Sequence, residues 1–330
     1  MNPKFRKLLK IEVEPTAVAF PAPVFIVGCM RSGTTFLVDK LTQHPQLLKV
    51  GAELRQLWTT LGKASCEEIC EYKSGEEASM QVANDMTHYF SQFIRDAQLP
   101  QRYLMRAKAK LGRGQGSVFY DWEHIRPVNK STQLVNKIGY LHALFPSSKI
   151  IFIVRSIYGQ CSSMKAFIDH NYKTDGIIHH FPSNHGYGWT FIHEDKKTDE
   201  MKDEDIYPSN FSLIPRMWLR LNKLAFEHIA KLPPGLCAVV SYEDSVTHQA
   251  EVLEGLFDFL QLKPKHDQKA QKIMKSVLKY KNTTTQGNPL TKWKKYLNPE
   301  ELVEIDQTIA ENQASYDFIM DSIGHLKLSV

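Results

Sequence analysis

An apolar run, VFIV at residues 24–27, passes directly into the glycine turn GCMRSGTT at 28–35 and then into the helix-forming stretch FLVDKLTQ. A run of β-formers without polar alternation reads as a strand buried on both faces, and such strands belong in parallel sheets. The turn must then redirect the chain into a helix within a few residues, so this one segment commits the chain to an α/β fold. Similar runs, KIIFIV at 149–154 and CAVVSY at 237–242, with a weaker one at 125–129, supply further strands. Helices are expected at 34–43, 67–97, 131–144, 215–230, 251–260 and 299–312; in the fourth, Trp218, Leu221, Leu224, Ala225 and Ile229 recur at helical spacing. The predicted architecture is a parallel β-sheet flanked by helices on both faces, a single domain over residues 22–330 after an N-terminal extension at 1–21.

One segment breaks the pattern. Residues 170–212 are rich in His, aromatic and charged residues without clear periodicity, and a loop of that length in a compact domain is expected to be a lid or insertion over a site. The histidines it contains, among them His179, His180, His185 and His193, have irregular spacing and mixed neighbours, which suits a substrate-lining or solvated segment better than a metal site.

Bulk properties narrow the function classes. The 41 Lys and Arg against 36 Asp and Glu leave a net charge of +5, compatible with an anionic ligand, but the basic residues form no stripe interleaved with aromatics, so nucleic-acid binding is not expected. Five scattered cysteines, including Cys66 and Cys70, argue against a disulfide framework and for a reducing compartment. The basic start MNPKFRKLLKIEVEP lacks the apolar core of a secretory signal, and nothing approaches the length of a membrane span. A cytoplasmic protein without a membrane span is expected.

The strand, the G-x-x-x-x-G spacing of Gly28 and Gly33 and the following helix make the phosphate-binding arrangement of P-loop proteins, in which backbone N–H groups and a helix N-terminus face an anion. A nucleotide triphosphatase would place a lysine directly after the second glycine. Here Thr34 and Thr35 follow instead, and the cation is Arg31, two residues before that glycine. A guanidinium there can fork onto a phosphate while the N–H groups of Ser32, Gly33, Thr34 and Thr35 hold it, an arrangement suited to a nucleotide whose reactive group is not a magnesium-bound γ-phosphoryl.

The sequence VFIVGCMRSGTT resembles the 5′-phosphosulfate loop of sulfotransferases that use 3′-phosphoadenosine 5′-phosphosulfate (PAPS). The resemblance continues through most of residues 22–300. Arg155 ends the strand at 149–154 and Ser163 follows eight residues later, the spacing of the family's 3′-phosphate pair, although Ser156-Ile157 stands where the family often has Asp-Pro. HPQLLKVGAELR resembles the H-P…G-x-E-x-R run of the tyrosylprotein and carbohydrate sulfotransferase branch, with one extra residue before Gly51; this implies Glu53 as catalytic base and Arg55 as its companion. NKSTQLVNKIGYLHALFP resembles that branch's N-K-D-P…L-F-P and keeps the lysine as Lys130, with Ser131-Thr132 replacing Asp-Pro. PLTKWKK resembles the late S-K-W that closes over the nucleotide, implying Lys292, with Thr283 from the preceding NTTTQ as a further contact.

Taken together, the resemblance implies a sulfotransferase that moves the sulfuryl group of PAPS to an acceptor hydroxyl and releases adenosine 3′,5′-bisphosphate. Glu53 would act as general base, with Arg31 and Lys130 stabilising charge and no metal required. The rival base is His124 in DWEHIRP. Two other functions stay open on sequence: a P-loop kinase or triphosphatase with an atypical turn, and a non-catalytic nucleotide-binding module. The acceptor is equally open among a metabolite, a lipid, a glycan and a peptidyl tyrosine, because fold and donor do not fix it.

Overall fold

The computed structural model describes residues 20, 22–64, 69–110, 120–262 and 288–328. In chain order, β1 (Val24–Val27) leads into α1 (Thr34–Leu41), β2 (Leu47–Lys49), α2 (Arg55–Thr60), α3 (Met80–Lys110), β3 (Arg126–Ser131), α4 (Ile138–Leu144), β4 (Lys149–Val154) and α5 (Ile157–Asp175). Then come β5 (Ile177–His180), β6 (Thr190–His193), β7 (Ile206–Tyr207), α6 (Leu213–Ile229), β8 (Cys237–Ser241), α7 (Tyr242–Thr247) and α8 (Gln249–Phe259). The last elements are α9 (Trp293–Tyr296), α10 (Pro299–Glu311) and α11 (Gln313–Leu326).

The main sheet is parallel throughout and ordered β2-β3-β1-β4-β8. Its unalternating apolar strands are explained by burial on both sides. Phe25, Val27, Phe152 and Val154 join one core with Trp58, Phe90, Leu141, Met164 and Trp218 from the helices. Val24, Ile26, Ile151 and Ile153 join the other with Leu37 and Val38 of α1 and Val252 and Leu256 of α8. Helices thus cover both faces, as the sequence predicts.

This strand order places the site. From β1 the chain travels towards β2 at one edge, and from β4 it travels to β8 at the other, so neighbouring strands send their connections in opposite directions. A crevice opens beyond the carboxyl ends of β1 and β4, where ligands of open α/β sheets bind.

Several elements differ from the sequence expectation. The helix expected at 67–97 starts only at Met80, because Ser74 and Glu77 form a capping box around a 3₁₀ turn at Gly75–Glu77 and the chain is extended again at Ala78; it then runs to Lys110. The helix expected at 131–144 is shortened to Ile138–Leu144, since β3 extends through Ser131, whose hydroxyl caps a 3₁₀ turn at Thr132–Leu134. In the 170–212 segment, the first residues complete α5 and the rest carries a small antiparallel sheet, β6-β5-β7. Its strands are too short to display alternation. The elements β2, α2, α7, α9 and α11 were not anticipated. Among the described residues no helix is long and apolar enough to cross a membrane, and Cys29, Cys70, Cys161 and Cys237 are free thiols. Cys66 and Thr283 lie outside the described residues, as does nearly all of the 1–21 extension.

Phe152 is fully buried at the centre of the sheet, its ring edge-on to Phe226 at 5.2 Å. Phe152→Ala should therefore lower unfolding free energy by about 3–5 kcal/mol in a denaturant titration, whereas Met80→Ala, at an 80% exposed position, should leave the midpoint unchanged.

Candidate active site

The turn after β1 is shaped by two close approaches. A Cβ on Gly28 would stand 2.4 Å from the Ile153 carbonyl oxygen of β4, and one on Gly33 would stand 2.4 Å from the Tyr242 ring. Gly33 also takes φ 106° and Arg31 takes φ 68°, both in the left-handed region. For arginine that conformation costs on the order of 1 kcal/mol, and it is characteristic of functional turns. Gly33, Thr34 and Thr35 then open α1, where the first N–H groups have no preceding helical carbonyl to reach. All three line a cavity of about 290 Å³ at the crevice.

Ser32 departs from expectation. Its side chain is fully buried, and its N–H donates to the Cys29 carbonyl at 3.1 Å, so it braces the turn from behind rather than facing the cavity.

Across the crevice, β4 delivers Arg155. The side chain is buried; it donates to the Arg31 carbonyl at 3.2 Å and the Pro289 carbonyl at 3.0 Å, and lies 4.3 Å from the Tyr242 ring centroid. Its own carbonyl accepts from the Trp218 indole at 3.0 Å, which fixes the backbone as well. Ser163, two turns into α5, accepts from Arg31 Nε at 3.3 Å, and Arg31 in turn lies 5.2 Å from the centroid of Phe167. Lys292 is buried nearby. Burial, and then the charges of Arg155 and Arg31, lower its pKa to about 8. The cations gathered here repel one another, which favours an anion among them.

The opposite wall comes from the other side of β1. Lys130, near the carboxyl end of β3 and buried, donates to Glu53 Oε1 at 2.5 Å, and Thr132 donates to Oε2 at 3.4 Å. Asn129 holds the segment that carries Glu53: its Nδ2 donates to the carbonyls of Val50 at 3.1 Å and Ala52 at 3.3 Å, while its Oδ1 accepts from Trp58 Nε1 at 3.0 Å. Sequence reasoning passed over Asn129 and Thr132, although they flank the lysine in NKST. Arg55 is placed differently from a companion that orients Glu53. It is exposed and lies 5.6 Å from the Phe191 centroid, at the cavity rim.

Phe167 and Phe191 complete the cavity, and Phe191 comes from the 170–212 insertion. Behind Phe191, at 4.2 Å between centroids, is His179, nearly fully buried, its pKa held down to about 3 by that burial. The other histidines of the segment are dispersed: His185 contacts Glu71 at 3.3 Å and His193 contacts the Asp175 carbonyl at 3.1 Å. His124 sits at the wrong end of β3, bonded to Asp121 at 3.1 Å. The strand rise puts roughly 13 Å between Arg126, at the start of β3, and Lys130, so His124 has no access to the cavity.

The geometry brings Arg31, Gly33, Thr34, Thr35, Glu53, Lys130, Arg155 and Ser163 to one cavity, with Lys292 beside it. The sequence model described as the sulfotransferase family matches residues 23–181. No curated protein matches the chain. Among solved structures, a sulfotransferase from Alicyclobacillus acidocaldarius is similar at 14% identity and a TM-score of 0.47, over 90% of this chain and 94% of that one. The sulfotransferase domain from the curacin biosynthetic pathway is similar at 16% identity and 0.45, over 90% and 99%. A mouse sulfotransferase complexed with PAP is similar at 13% identity and 0.44, over 93% and 90%. The segment that matches the sulfotransferase family is therefore the one that carries the glycine turn, the Glu53–Lys130 pair and the Arg155–Ser163 pair.

Proposed function

We propose that the protein is a PAPS-dependent sulfotransferase acting on an acceptor hydroxyl. The observation that carries this reading is the pairing, across one switch-point crevice, of an arginine-bearing glycine turn with the Glu53–Lys130 pair. The residues present fit the donor. N–H groups of Gly33 to Thr35 would hold the 5′-phosphate at the start of α1, and Arg155 and Ser163 the 3′-phosphate, with Lys292 closing over the nucleotide. When bound, PAPS supplies a sulfuryl group on a phosphate leaving group.

Sulfuryl transfer is governed by alignment and by stabilisation of spreading charge. Glu53 takes the proton of the acceptor hydroxyl as its oxygen bonds to sulfur, and the bond from sulfur to the bridging phosphate oxygen breaks. Lys130, on the same carboxylate, and Arg31, at the turn, neutralise charge on the sulfuryl and bridging oxygens. The wall of Phe167 and Phe191 keeps water from the reacting atoms. A magnesium-dependent phosphoryl transfer would call for an acid at the end of β4, where this chain has Arg155. The Glu53 and Arg55 run supports a place near the tyrosylprotein and carbohydrate branch, with a metabolite, glycan or tyrosine as acceptor. The free thiols support a cytoplasmic setting.

Isothermal titration should show adenosine 3′,5′-bisphosphate binding at micromolar or tighter affinity irrespective of magnesium. Arg155→Ala should weaken it by about 30-fold or more. Magnesium-dependent ATP binding without affinity for the bisphosphate would transfer the assignment to a kinase.

Glu53→Gln should leave bisphosphate affinity within about threefold and lower kcat with labelled PAPS by roughly 10²–10⁴; unchanged turnover would remove Glu53 as base.

Lys292 is cationic below its depressed pKa of about 8 and neutral above it. Bisphosphate affinity should therefore fall as pH rises from 7 to 9, and Lys292→Met should flatten that dependence.

A further inference from the structure

A second cavity, of about 260 Å³, lies between the insertion and α6. Leu213, Met217 and Leu221 give it an apolar floor, and Arg216 and Arg220 stand on the same helical stripe. Both arginines are exposed. Among the described residues neither side chain makes a hydrogen bond or ion pair, although Glu204 and Asp205 share the cavity wall. Their charged neighbours behave otherwise: Lys223 pairs with Glu227 on the same helix, Lys202 with Glu204 at 3.5 Å, and His185 with Glu71 at 3.3 Å. Like charges four residues apart on a helix repel, and an anion between them relieves that repulsion. Trp189 forms another part of the wall. It is 2% exposed, and among the described residues its indole N–H makes no hydrogen bond.

We propose that this cavity is a binding site for a small organic oxyanion, a carboxylate or phosphate on an apolar body, forked by Arg216 and Arg220 and packed against Trp189 and Met217. The site is distinct from the catalytic cavity, with which it shares no lining residue. A file of rings connects their walls. Phe181 lines the second cavity, Phe191 lines the first, and His179 stands between them, 6.3 Å from Phe181 and 4.2 Å from Phe191 between centroids. The assignment does not depend on the reaction proposed above.

Phenyl phosphate and benzoate serve as probes, one for each oxyanion, titrated calorimetrically into the full chain, into Arg155→Ala, which disables the turn site, and into the double variant Arg216→Ala/Arg220→Ala. The expected result is binding of at least one probe that Arg155→Ala retains, that weakens with added salt, and that the double variant loses at least tenfold. The single variant Arg220→Gln should give an intermediate loss and guards against a folding defect, since it keeps a polar side chain on an exposed helical position. Binding that is unchanged in the double variant, binding lost in Arg155→Ala instead, or no binding of either probe up to roughly 10 mM would overturn the assignment.

Discussion

The site depends on one buried guanidinium. Arg155 receives its position from β4, has its backbone carbonyl fixed by Trp218, and reaches the Arg31 carbonyl, the Pro289 carbonyl and the face of Tyr242. Burying a cation is costly unless neutral acceptors meet it, and here two carbonyl oxygens accept from the guanidinium without cancelling its charge. The turn after β1, the segment before α9 and the start of α7 are therefore joined through a group that remains positive. Lys292 responds to that charge: burial is the first cause of its lowered pKa, and the field of Arg155 and Arg31 adds to it. Tyr242 takes part twice, as the surface under Arg155 and as the ring that leaves room for no Cβ at residue 33.

How far the sequence revealed this varies with the physical origin of each feature. The strands β1, β4 and β8 were legible because burial on both faces leaves an uninterrupted apolar run, and the turn was legible because only glycine tolerates the approach to Ile153 and Tyr242. Glu53 and Lys130 are a different case. They lie 77 positions apart, and nothing in local spacing joins them; only a family resemblance placed them together before the sheet order brought β2 and β3 side by side. Asn129 and Thr132 were missed because their work is to hold a neighbouring chain segment, which leaves no periodicity. For Ser32 and Arg55, position in a motif does not say which way a side chain turns: Ser32 is fully buried and Arg55 lies across Phe191. The insertion's sheet escaped notice because its strands are two to four residues long.

The distribution of charge around the crevice gives it a direction. The β1 turn, the end of β4 and the segment at Lys292 contribute cations, and the carboxylate comes from the β2 side, through Glu53. In the proposed reading the nucleotide's phosphates lie among the cations of the first side, and the sulfuryl group faces the second, where the Glu53–Lys130 pair and the Phe191 wall stand. Asn129 makes that orientation useful, because its three hydrogen bonds tie the carboxylate's segment to the rigid central sheet rather than leaving it on a mobile loop. The insertion contributes Phe191 to the cavity wall, backed by the neutral ring of His179, and so adds no charge there. Under the proposed reading, donor recognition falls to the strand ends of the sheet and the fit of the acceptor to the insertion, so the two would be carried by different parts of the chain.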